Sequence, residues 1–304
     1  MSILNTASDG LFNVVIILVR MIIKFGPQPR EDLLALCGTK FELIEETKAV
    51  ASIIRWLELG LFVENNKKIA IAEYYKNILG NNPDLSEVRL PKVIRKIILS
   101  PENNANFWSS EENKSADFCR GIAWLLAQNV YTLDTSSHEA INELEASQIL
   151  DETRRMFQND VRWTGAKTWS VYLGFARNGT KIGTKMIIDP TLALAESLDE
   201  IFTTEIMTAG EFVTRAAEIL PVLDGGIYRI QIEDVLRGSS WQKPPTKFVS
   251  TSMSRAIKRL LLEGLIAEVH RSDTGDGRSL LGVGQAKWDQ EITHLRRLSQ
   301  SGAK

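Results

Sequence analysis

Cysteine, histidine and net charge are all scarce in this chain, and each scarcity removes a class of function. Only two cysteines occur, Cys37 and Cys119, each inside an apolar helical pattern with no Cys/His cluster at metal-ligand spacing around it. Both therefore read as buried thiols in a reducing cytosol, and no metal site is expected. The three histidines, His138, His270 and His294, are too far apart in sequence to suggest a ligand set, and none pairs visibly with a serine or cysteine nucleophile. A net charge of -2 excludes a uniformly basic nucleic-acid coat, so any contact with nucleic acid has to come from a local patch. Long hydrophobic runs are also missing. The most apolar stretch, Leu11 to Phe25, is interrupted by Arg20 and Lys24, is flanked by Asp9 instead of a positive run, and has no small-residue cleavage site after it. It is too short to cross about 30 Å of hydrocarbon and reads as a core helix capped by Ser8 or Asp9, with no membrane partner and no signal peptide.

What is present is ordinary globular material: 304 residues at 44% hydrophobic and 24% charged, enough for two or three domains. The most useful internal feature is a repeat. Leu57-Glu-Leu-Gly-Leu-Phe62 returns as Leu261-Leu-Glu-Gly-Leu-Ile266, and in both places an amphipathic helix runs into a glycine able to take a left-handed C-cap, Gly60 or Gly264, before an apolar pair opens an extended segment. Upstream of the first copy, a helix from Leu11 to Lys24 is broken by Gly26-Pro27-Gln-Pro29, a short second helix covers Arg30 to Cys37, and a third carries Val50, Ile53, Ile54 and Leu57 as its expected buried stripe. Leu61 to Val63, the polar Asn65 to Lys68 and Ile69 to Ile71 then read as a hairpin. The second copy repeats this order, with helices at Glu211 to Leu220, Gln231 to Leu236 and about Ser250 to Glu263. A strand follows at Leu265 to His270, then a turn at Ser272 to Gly277 and a return at Arg278 to Gly282. Three helices and a hairpin describe a winged helix.

The expected fold is thus mainly α with small β-wings: an N-terminal winged helix over 1–82, a central helical domain with a small hairpin over 83–205, and a C-terminal winged helix over 206–304. Asn81-Asn82-Pro83 is the expected first linker. In the centre, Val93, Ile94, Ile97 and Ile98 form one stripe and Phe118, Ile122, Leu125 and Leu126 another, while Asn178-Gly179 suggests a turn between Tyr172-Leu-Gly-Phe175 and Met186-Ile-Ile188.

Catalytic motifs are weak. Gly179-Thr-Lys-Ile-Gly183-Thr-Lys185 has three residues between its glycines where a Walker loop needs four, and Thr184 separates the second glycine from the lysine, so it reads as a polar hairpin and no cofactor is expected. Asp160 and Asp189, among Arg162, Trp163 and Lys185, read as structural ion pairs before they read as an acid–base pocket. The stronger signal is the third C-terminal helix. Opposite its apolar stripe of Met253, Ala256, Ile257, Leu260 and Leu261 stand Thr251, Ser252, Ser254, Arg255, Lys258 and Arg259, with Lys247 before it and Arg271 and Arg278 on the wing. Hydroxyls and cations on one exposed helix face can meet base edges and phosphates of double-stranded DNA together. From Arg237 to Lys304 there are twelve Lys/Arg against six Asp/Glu, in a chain that totals -2. The N-terminal third helix lacks this pattern. Glu42, Glu45 and Glu46 precede it, and it offers Lys48, Arg55 and Trp56, a surface suited to partner binding or homodimerisation.

Several stretches, taken in order, resemble the DpdG family, encoded in bacterial clusters for 7-deazaguanine DNA modification and restriction. They are Leu4-Asn-Thr-Ala-Ser-Asp-Gly10, Arg55-Trp-Leu-Glu-Leu-Gly-Leu-Phe62, Ser100-Pro-Glu-Asn-Asn104, Ala123-Trp-Leu-Leu-Ala-Gln128, Phe157-Gln-Asn-Asp160, Arg162-Trp163, Leu173-Gly-Phe175, Asp189-Pro190, Leu220-Pro-Val-Leu-Asp-Gly-Gly226 and Thr293-His-Leu-Arg-Arg297. The resemblance covers nearly the whole chain. It implies a cytoplasmic phage-defence component acting with a partner ATPase of the same cluster, and it carries over no catalytic residue. The expected function is a non-enzymatic DNA-binding adaptor. A protein-only scaffold and a winged-helix transcription regulator are the alternatives, with a hydrolase using Asp160 and Asp189 a more distant one.

Overall fold

In the computed structural model, which describes residues 3–4, 12–109, 114–179, 185–271, 275–288 and 291–298, the chain is mainly helical with three small antiparallel sheets among those residues. In chain order the elements begin with α1 (Phe12–Phe25), β1 (Gln28–Pro29), α2 (Arg30–Leu36), α3 (Glu46–Glu58), β2 (Phe62–Asn65), β3 (Lys68–Ile71), α4 (Glu73–Leu79) and α5 (Pro83–Ile98). The middle holds α6 (Ala116–Ala127), α7 (His138–Gln148), α8 (Asp160–Tyr172), β4 (Ala176–Asn178), β5 (Met186–Ile188), α9 (Thr191–Ala195) and α10 (Leu198–Ile201). The C-terminal part holds β6 (Ile206–Thr208), α11 (Ala209–Ile219), α12 (Ile227–Glu233), α13 (Thr251–Leu262), β7 (Ile266–Val269) and β8 (His294–Arg297).

Two compact units form: Met1–Phe118 with Asn159–Leu173, and Cys119–Gln158 with Gly174–Lys304. Each draws on two stretches of chain, a different division from three consecutive segments. In the first unit, α1 buries Val14, Val15, Leu18, Val19 and Ile22, one stripe at helical period. Its expected caps, Ser8 and Asp9, lie outside the described residues. Gly26, at φ +76°, ends the helix, and β1 then pairs with β3, which pairs with β2. The β2–β3 hairpin turns at Asn66 and Lys67, both at positive φ, the geometry a two-residue turn needs to match the right-handed strand twist. Asn82-Pro83 is a helix start instead of a linker: the Asn82 side chain accepts from Asp84 N and Leu85 N at 2.9 and 3.1 Å, and α5 packs on α1. Val93, Ile94, Ile97 and Ile98 are all buried.

The stripe of α3 is rotated by one residue from the expected one. Ala49, Ser52, Ile53 and Trp56 face inward, whereas Val50, Ile54 and Leu57 are half-buried. Trp56 has no exposed surface, and its ring sits 6.1 Å from that of Trp169 on α8. Arg55 is buried as well.

The second unit carries the other copy of the repeat. Gly60 and Gly264 both take positive φ (+89° and +67°), and strands β2 and β7 start two residues after them. The sheet β6-β8-β7 repeats the order β1-β3-β2, with the outer early strand paired to the last strand of the ribbon. Because β6 runs directly into α11, as β1 runs into α2, α11 matches α2 in strand order, not the first helix of the N-terminal copy. The second helix, α12, starts four residues before the expected Gln231, right after Gly226. The ribbon's return strand is β8, not Arg278 to Gly282; Arg278 and Ser279 instead bridge to Ile292 and Phe248. Residues 272–274 of the expected turn lie outside the described residues. The hairpin β4–β5 closes on a Gly179 N to Lys185 O bond of 2.7 Å, and residues 180–184 of the glycine–lysine segment are likewise outside them.

Candidate nucleic-acid interface

Helix α13 is where the sequence concentrated hydroxyls and cations, and its surroundings decide what those groups can touch. Its N-cap is Ser250, whose hydroxyl accepts from Met253 N at 3.2 Å. Asp224 anchors that cap, accepting from Ser250 N and Ser250 Oγ at 2.6 Å each. The apolar stripe Met253, Ala256, Ile257 and Leu260 is buried as expected, with Leu261 half-buried.

The three hydroxyls expected on the opposite face are buried too, which corrects their role. Ser252 Oγ donates to Leu126 O at 2.7 Å, and Thr251 Oγ1 donates to Gln128 O at 3.2 Å while accepting from Val130 N at 3.0 Å. Between them, Trp241 Nε1 donates to Ala127 O at 2.9 Å. Helix ends leave their last carbonyls without intrahelical donors, and these groups satisfy three consecutive carbonyls at the end of α6. Ser254 Oγ likewise donates to Val249 O and accepts from Leu281 N. Thr251, Ser252 and Ser254 are fasteners inside the second unit and have no free face for a DNA groove.

The cations of α13 stay closer to the surface, and each has a neighbour. The Arg255 guanidinium lies 4.7 Å from the centre of the Tyr131 ring and donates through Nη1 to Ile188 O at 3.1 Å. Lys258 Nζ lies 5.8 Å from the centre of Trp288, whose indole is 6.3 Å from Tyr131 and 39% exposed. Arg259 reaches Glu263 at 3.0 Å and Asp189 at 3.6 Å. Asp189, almost wholly buried, also takes Arg177 Nε at 3.1 Å and both the amide and the hydroxyl of Thr191. Asp189 is therefore a structural ion-pair centre, and Asp160 opens α8 in the first unit. Two carboxylates, Asp189 and Glu263, thus answer the guanidiniums of Arg177 and Arg259.

Of the flanking cations, Lys247 is exposed, 3.9 Å from Glu291, and Arg271 is exposed, whereas Arg278 is partly covered and pairs with Asp276 at 3.0 Å. In the first unit, Arg55 and Trp56 belong to the core and cannot form the docking surface expected of them; Lys48 is half-exposed and pairs with Glu45 at 2.8 Å. The sequence analysis singled out none of Tyr131, Trp288 and Arg177. Only Trp288 left a trace there, as a lone aromatic among glycines, glutamine, lysine and acids.

Both cysteines are buried, and burial pushes the Cys37 thiol up to about 11, so it stays protonated. His138 Nε2 meets Phe157 O at 2.7 Å, His270 lies near Glu268, and His294 sits buried in β8. Among the described residues, no group of three His, Cys, Asp or Glu is placed to hold a metal, and no helix is long and apolar enough to cross a membrane.

These features define a mainly helical protein of two units, with a repeated helix–strand arrangement and a cationic, aromatic strip along α13. The family model for DpdG-like proteins matches residues 1–274, and the chain belongs to that family. Membership implicates it in the Dpd modification system. No curated protein and no solved structure matches the chain.

Proposed function

We propose that this chain is a non-enzymatic, DNA-binding adaptor subunit of a cytoplasmic phage-defence restriction system, working with a partner ATPase, and that its two helix–strand repeats are winged-helix modules. The observation that carries the DNA reading is the concentration of cations at one end: twelve Lys/Arg against six Asp/Glu from Arg237 to Lys304, with Lys247 and Arg271 exposed. The shared strand order of β1-β3-β2 and β6-β8-β7, each fed by a helix that ends at a positive-φ glycine, supports the winged-helix reading. Because the α13 hydroxyls are occupied, the contact runs through phosphates and needs no helix laid in the major groove.

Anisotropy titration of a labelled duplex over a range of salt tests this. Affinity should fall steeply with salt, and Lys247→Glu with Arg271→Glu should lower the log–log slope by roughly 2, about 0.9 per lost phosphate contact. Unchanged affinity and slope in that double variant would sink the proposal.

A second reading, a protein-only scaffold, is favoured by Phe41 and Leu43, 79% and 78% exposed in the segment joining α2 to α3. It predicts that Phe41→Ser with Leu43→Ser loses a co-purifying ATPase while the duplex titration stays flat for every variant.

A further inference from the structure

We infer that this chain associates with itself head to tail, with Phe41 and Leu43 of one copy entering a cleft lined by α11, α12 and the 243–249 segment of the next. This association goes beyond the adaptor reading, does not rest on it, and covers Phe41 and Leu43 with a second copy instead of an ATPase. The cleft lies wholly within the second unit and encloses about 590 Å³, inside the range of pockets that hold ligands. Its walls are largely apolar, with Val213, Ala217, Pro221, Ile227, Phe248 and Val249 among them, and Ile227 is 62% exposed. One polar group on the cleft is unfinished. Arg229 is 1% exposed, with Nε on Glu233 Oε1 at 2.7 Å and Nη1 3.6 Å from Asp224 Oδ1, while Nη2 has no hydrogen-bond partner among the described residues. Glu233 also takes Lys243 at 2.9 Å, so two acids and two cations balance here. A buried donor without an acceptor is costly, and a site whose charges already balance is best served by an uncharged acceptor. The occupant these groups call for is apolar and brings a free carbonyl oxygen.

The segment joining α2 to α3 has that chemistry. Phe41 and Leu43 are both well exposed, and nothing among the described residues donates to the carbonyls of Phe41, Glu42 or Leu43. The turn is set before a partner arrives: Phe41 N and Leu43 N both donate to Gly38 O, at 3.0 and 3.2 Å, and Glu42 is held at φ +57°, where side-chain-bearing residues are uncommon. A segment already in its bound shape loses little freedom on binding. Charge pairs the same two surfaces. Residues 31–46 hold five acids and one lysine, whereas 237–247, which runs into the cleft, holds three cations and no acid. Of the five acids, Glu45 alone is in an ion pair among the described residues. Of the three cations, Lys243 has Glu233, Lys247 has Glu291 at 3.9 Å, and Arg237 is exposed. Because the two surfaces differ, every copy keeps one of each to offer, so growth continues past a dimer or closes as a ring.

Sedimentation velocity of the purified full chain, free of nucleic acid, from about 1 to 300 µM tests this, since a contact of a few side chains is populated in that range. The parent should grow past the dimer as its concentration rises. Phe41→Ser with Leu43→Ser should weaken association more than about 100-fold, because two large apolar side chains lose their cover. Ile227→Glu, an exposed change on the opposing surface, sets a carboxylate against Glu42 and should leave the chain monomeric. Arg229→Lys keeps the charge between Asp224 and Glu233, gives up the second donor, and should weaken association about 10-fold. An equal mixture of the Phe41/Leu43 variant and the Ile227 variant decides the geometry. One keeps only its cleft and the other only its segment, so together they should form 1:1 dimers and stop there, although each is monomeric alone. Melting curves that match the parent exclude unfolding as the cause. A parent that stays monomeric throughout, association that survives any of these changes, or a mixture without dimers overturns the proposal. The duplex titration of the Lys247 and Arg271 variant is a separate measurement, so failure of either reading leaves the other standing.

Discussion

Glu145, on α7, has no exposed surface, and its carboxylate is held by two backbone donors, Met156 N at 2.6 Å and Phe157 N at 3.1 Å. Burial, which penalises the charged form, pushes its pKa up from the ordinary 4.5 to about 7, against the pull of those two N–H groups and of the Arg155 and His138 charges. The folded chain therefore holds this proton more tightly than the unfolded chain. At about 1.4 kcal/mol per tenfold in proton affinity, the rise corresponds to about 3 kcal/mol. The sign follows from proton linkage: where the folded state binds more protons, stability falls as pH rises. The contribution is fully present below about pH 4.5 and is lost as the pH climbs through about 7. Glu145→Gln removes the ionisation while keeping the volume, although one backbone N–H then faces an amide. Urea unfolding of both chains from pH 5 to 8 isolates the effect, with Trp124 as a nearby reporter, since its ring lies 5.8 Å from Phe157. The stability of the parent relative to the variant should fall by about 2 to 3 kcal/mol over that range, most of the full effect. A difference that stays flat with pH would refute the reasoning, because it would mean that Glu145 keeps one protonation state through folding.

Two further outcomes follow from the same kind of accounting. Gly60→Ala and Gly264→Ala place a Cβ in open space at φ +89° and +67°, so only backbone strain is added; each should lower stability by roughly 1–2 kcal/mol, visible as a shift in the denaturant midpoint without a change in slope. Trp56→Ala should cost about 3–5 kcal/mol in chemical denaturation of the first unit, since the indole is fully enclosed against Trp169; a stable variant that merely lost a partner would restore Trp56 to the surface.

Much of the helical pattern was legible because its signals are local. The stripe Met253, Ala256, Ile257 and Leu260 needs only a period of 3.6 residues, and Gly60 and Gly264 mark helix ends because glycine takes positive φ without steric cost. The pairing of β8 with β7 was not legible, because the two strands are separated by 24 residues and the nearer Arg278 to Gly282 looks equally extended in sequence. Likewise, Asn82-Pro83 carries both a linker signature and a helix-start signature. Packing of α5 on α1 selects the second, and a single sequence does not contain that choice.

The hydroxyls and the cations of α13 part ways for one physical reason. Serine and threonine on a helix serve equally well as donors to a base edge and as donors to the stranded carbonyls of another helix, so their spacing in α13 cannot tell the two uses apart. The ends of α6 decide it, since Leu126 O and Gln128 O would be buried without donors if Ser252 and Thr251 faced solvent. Arginine and lysine are less ambiguous, because their long stems keep the charge near water even when the helix beneath is enclosed. That is why Arg255, Lys258 and Arg259 stay partly exposed while Thr251, Ser252 and Ser254, which precede them on α13, are buried.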